Sequence, residues 1–113
     1  MIDARRMEVY SQFFDKNLNA LNDISAIIVD EDTYRTDLEK QPILFFGDGA
    51  LKCKAIINNE KAIFFEGGLP SAEGMAPLAE KQFQDKDFAD VAYFEPFYLK
   101  DFVAAVSKIK GLK

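Results

Sequence analysis

A period of two near the start of the chain restricts its fold more than any other feature. Met7, Val9, Ser11 and Phe13 alternate with Glu8, Tyr10, Gln12 and Phe14. Strand side chains point to opposite faces in turn, so this spacing predicts a long β-strand from about Ile2 to Phe14. Asp15-Lys16-Asn17-Leu18-Asn19 has turn chemistry, and Ile24-Ser25-Ala26-Ile27-Ile28-Val29 reads as a second strand. Together they predict an antiparallel hairpin.

Beyond the hairpin the pattern changes. Acidic residues cluster after Asp30, and Tyr34 and Leu38 stand four apart, which predicts a short amphipathic helix to Lys40, closed by Pro42. Ile43-Leu44-Phe45-Phe46 is a continuous apolar run ended by Gly47-Asp48-Gly49. Such a run is expected of a strand covered on both faces. A brief helix over 50–57 follows, with Leu51, Ala55 and Ile56 as its stripe, and then a buried strand, Ala62-Ile63-Phe64-Phe65. Ser71 is positioned to cap a helix whose Met75, Leu78, Ala79, Gln82 and Phe83 share a face, with Asp85-Lys86-Asp87 as its end. Val91–Leu99 is aromatic but carries Pro96, which predicts an edge strand or an extended crossing segment. This order predicts an α/β fold with a mixed sheet: an antiparallel hairpin, then parallel strands, with helices packed on it. One domain over 1–101 is expected, followed by a tail over 102–113 in which Phe102, Val106 and Ile109 have helical spacing.

Residue types narrow the chemistry. The chain has no histidine, which removes His-based triads, general bases and zinc sites. Its one cysteine, Cys53, has no histidine to activate it and reads as a packing residue. With 19 acidic against 14 basic residues the formal charge is −5, a poor balance for gripping nucleic acid alone. No apolar run approaches the ~20 residues of a membrane helix, and no secretory signal pattern opens the chain, so a cytoplasmic location is expected.

Three constellations are candidates for function. Asp3-Ala4-Arg5-Arg6 offers a carboxylate at a strand start and two guanidinium groups. Read as chemistry, Asp3 with Asp48 and Glu66 would form the carboxylate set of a metal-dependent nuclease or phosphotransferase. Read as structure, Asp3 pairs with an arginine at a strand end, and the residues favour this reading. Phe45–Ala50, strand then glycines then helix, resembles a place where backbone N–H groups meet a phosphate. It lacks both the dinucleotide and the Walker A spacing, and a tight turn with Asp48 as helix cap is the favoured reading. Tyr93-Phe94-Glu95-Pro96-Phe97-Tyr98 is aromatic enough for base stacking, but without interleaved basic residues it reads as core and edge packing.

The segments in order, IDARRMEVY, FFGDGA, PSAEGMAPLAEKQF and EPFYLKD, resemble the TsaB (YeaZ) family from Met1 to about Asp101. The string Asp3-Ala4-Arg5-Arg6-Met7-Glu8-Val9-Tyr10 is the most specific element. The resemblance implies an RNase H-like half of the actin-like (ASKHA) class, the second of two such halves, so a preceding domain is expected in the complete protein. It implies a non-catalytic scaffold subunit, often labelled glycoprotease-like, in threonylcarbamoyladenosine modification of tRNA adenosine 37. A TsaD-type enzyme and a TsaE-type ATPase would be its partners, reached mainly through the other half, with tRNA met only indirectly. No cofactor and no metal are implied. Gly47, Asp48 and Gly49 would correspond to a vestigial nucleotide-cleft turn, while Asp3, Ala4, Arg5 and Arg6 carry the signature without an assigned reaction. A half without its mate is further expected to expose apolar surface and to self-associate.

Overall fold

The structure, a computed structural model, describes residues 1–101. It contains five strands and three α-helices: β1 (Ile2–Asp3), β2 (Glu8–Ser11), β3 (Ser25–Ile28), α1 (Arg35–Lys40), β4 (Ile43–Phe45), α2 (Ala50–Cys53), β5 (Ala62–Phe64) and α3 (Ala76–Gln84). The helix expected within 102–113 lies outside the described residues. Strands β1, β2 and β3 form an antiparallel sheet in that order, and β4 and β5 form a parallel pair. An α/β fold with an antiparallel start and a parallel continuation is therefore present, but as two separate sheets rather than the one mixed sheet expected, because no β4 or β5 residue pairs with β1, β2 or β3.

The long first strand is instead two strands and a turn. Ile2 pairs with Tyr10 and Asp3 with Val9, because Arg5 and Arg6 both adopt positive φ, 72° and 49°. A side chain with a Cβ disfavours this region, so neighbouring contacts must hold the turn. The Asp3 carboxylate does so locally by accepting the Arg5 N–H at 2.7 Å. The expected β2–β3 hairpin forms, with Val9 opposite Ile27. At its loop the Asp15 carboxylate accepts the N–H groups of Asn17 and Asn19, and Leu18 is held at φ 66°.

Helix α1 starts five residues later than expected. Asp30 accepts hydrogen bonds from the N–H groups of Asp32 and Thr33 and from the Thr33 hydroxyl, closing a local turn that competes with helix. Tyr34 then takes up φ 68° immediately before the helix. Tyr34 and Leu38 are nevertheless buried together, as their spacing predicts. In α2 the buried residues are Ala50 and Cys53, followed by Ile57, rather than Leu51 and Ala55, which are exposed. The helical run is also shorter than expected and gives way to turns after Cys53.

Val9, Val29, Tyr34, Leu38, Phe45, Ala50, Cys53 and Ile57 form the core. A row of rings crosses it: Phe13 to Tyr34 at 5.6 Å, Tyr34 to Phe45 at 5.3 Å and Phe45 to Phe64 at 5.1 Å. This row links the two sheets through Tyr34, just before α1, each contact adding about 0.5–1.5 kcal/mol beyond area burial. The Tyr34 hydroxyl donates to Ser11 Oγ at 3.0 Å, satisfying the buried serine.

Among the described residues, only one face of the sheets is covered. Leu44, between half-buried Ile43 and buried Phe45, is 56% exposed, so β4 is not the doubly covered strand its apolar run suggests. Helix α3 forms where expected, but it does not pack on the sheet. Gly67, Gly68 and Pro70 lead the chain outward, and every residue from Leu69 to Tyr98 is exposed. Ser71 does not cap the helix as expected: its Oγ accepts the Gly74 N–H, and a 3-10 turn (Glu73–Met75) intervenes, so that Met75 holds the cap position of α3 without a side-chain bond. The helix ends as expected at Asp85-Lys86-Asp87: Lys86 takes φ 57°, and the N–H groups of Lys86 and Asp87 return to Phe83 and Gln82. Tyr93–Tyr98 forms neither an edge strand nor core packing. Turns around Asp90 lead into an irregular segment in which Tyr93 is 83% exposed.

Candidate functional site

The two constellations on which the sequence converges, Asp3–Arg6 and Gly47–Gly49, fold against one another. β4 ends at Phe45, and the glycine turn reverses the chain into α2. The backbone of Met1–Asp3 lies directly on that turn. The Met1 ammonium donates to the Phe46 carbonyl at 2.7 Å, and the Gly49 N–H donates to the Met1 carbonyl at 3.3 Å.

This approach explains both glycines. Gly47 has φ +100°, and a Cβ there would stand 2.0 Å from the Met1 carbonyl oxygen. At Gly49 a Cβ would stand 2.8 Å from the Ile2 carbonyl carbon. No side chain fits between the two backbones. Asp48, between the glycines, does not cap α2. Its Oδ1 accepts the Asp3 N–H at 3.0 Å instead, and Gly49 occupies the cap position without a side-chain bond. The Gly49 N–H, a donor that a phosphate would need, is occupied by the chain itself.

Lys52 completes the junction, and nothing in the sequence singled it out. Its ammonium donates to Asp3 Oδ1 at 2.6 Å, to the Arg6 carbonyl at 2.8 Å and to the Glu8 carbonyl at 2.6 Å. Three protons meet three acceptors, and the side chain is only 21% exposed. The expected partner of Asp3 was an arginine. Lys52, from α2, reaches it instead, whereas Arg5 contributes only its backbone N–H. Among the described residues, neither guanidinium enters an ion pair, and both arginines are exposed.

Electrostatics follow from these contacts. The Lys52 hydrogen bond, then the Arg5 N–H, holds the Asp3 carboxyl below its ordinary range. Burial lowers the Met1 ammonium, partly offset by Asp48. Burial also pushes the Cys53 thiol up, and its Sγ donates to the Gly49 carbonyl at 3.3 Å. That thiol is a packing group rather than an activated nucleophile.

Glu66, the third carboxylate of the nuclease reading, faces Lys54 at 3.5 Å. Among the described residues no group of three or more Asp, Glu, Cys or His side chains is arranged to hold a metal ion. No described helix is long and apolar enough to cross a membrane. Compared with known proteins, the chain matches no family model, no curated protein and no solved structure.

Proposed function

We propose that this chain is the second, RNase H-like half of a TsaB-like scaffold subunit, acting in the cytoplasm in threonylcarbamoyladenosine modification of tRNA. It works without chemistry of its own, alongside a TsaD-type enzyme and a TsaE-type ATPase, and it meets tRNA only indirectly. One observation carries the reading. The signature carboxylate Asp3 and the Gly47–Gly49 turn are joined by the Asp3 N–H to Asp48 Oδ1 bond, and Lys52 neutralises Asp3. Residues that would serve a reaction are thus engaged in holding the fold. The two arginines remain outward on a strained turn, available to a protein partner.

The antiparallel β1–β3 sheet followed by the parallel β4–β5 pair agrees with the RNase H-like half that the resemblance implies. Depleting the protein and measuring threonylcarbamoyladenosine in bulk tRNA by mass spectrometry tests the function. A fall is expected. Unchanged modification, despite loss of the protein, removes the reading.

A further inference from the structure

We draw no further inference here: the strongest candidate, the open apolar sheet face with its groove of about 260 Å³ between β1, β2 and β4, carries nothing, because nothing in the structure shows what covers it.

Discussion

Lys52 Nζ lies 2.6 Å from Asp3 Oδ1, across 49 residues of chain, and anchors α2 to the first hairpin. The same ammonium serves the Arg6 and Glu8 carbonyls, so it supports the turn that Arg5 and Arg6 would otherwise resist. Lys52→Met should cost roughly 1–3 kcal/mol in a urea unfolding series, because two backbone acceptors lose a charged donor. Asp3→Asn keeps an acceptor oxygen and removes only the charge at one of the three contacts, so it should lower the midpoint less. An equal or reversed ranking contradicts this view of the junction.

Acid should act through a small set of carboxylates. Asp3 is held low first by Lys52, Asp15 first by the Asn19 side chain and Asp30 first by the Thr33 hydroxyl. A folded pKa below the unfolded one gives stability that is complete above the unfolded value, 3.8 for each, and lost as pH falls through the lower folded values. Urea midpoints should therefore hold steady from about pH 6 to 5 and fall below about pH 4. In Asp3→Asn the fall should be shallower. The same slope in both proteins would remove Asp3 from the set.

The glycines before α2 should differ in tolerance. Gly47→Ala meets both a φ of +100° and the Met1 carbonyl, and a loss of about 2 kcal/mol or more is expected. Gly49 has an ordinary φ of −83° and the longer approach, so Gly49→Ala should cost less. Thermal unfolding of the two variants checks the order.

Leu38 and Leu18 make a further contrast. Leu38 is 1% exposed in the core, and Leu38→Ala should cost about 2–5 kcal/mol. Leu18 is an exposed leucine at φ 66°, a conformation that asparagine tolerates better. Leu18→Asn should stabilise by about 0.5–1 kcal/mol, read from the same denaturation curves.

The local parts of this fold were legible, and the long-range parts were not. Alternation at Met7–Phe14 and the apolar run at Ile43–Phe46 located strands, because period and length are properties of the segment alone. The turn at Arg5-Arg6 left only a faint mark, a shift of the apolar register from Ile2 and Ala4 to Met7 and Val9, and arginine is not a residue that signals positive φ. At Asp30 the acidic run read as a helix start, but the side chain bonded its own backbone first. The Gly47–Gly49 turn was visible. Its cause, the Met1–Asp3 backbone seated on it, was not, since that strand is more than forty residues away. The stripe of α3 likewise announced an apolar face without saying what covers it.

Co-purification tests the scaffold reading most directly. The protein, tagged at its own locus, is purified under mild conditions, and its companions are identified by mass spectrometry. The account predicts a TsaD-type enzyme among the specific companions, in amounts comparable to the tagged chain. Recovery of the tagged protein without that enzyme, from cells in which the enzyme is abundant, would contradict it.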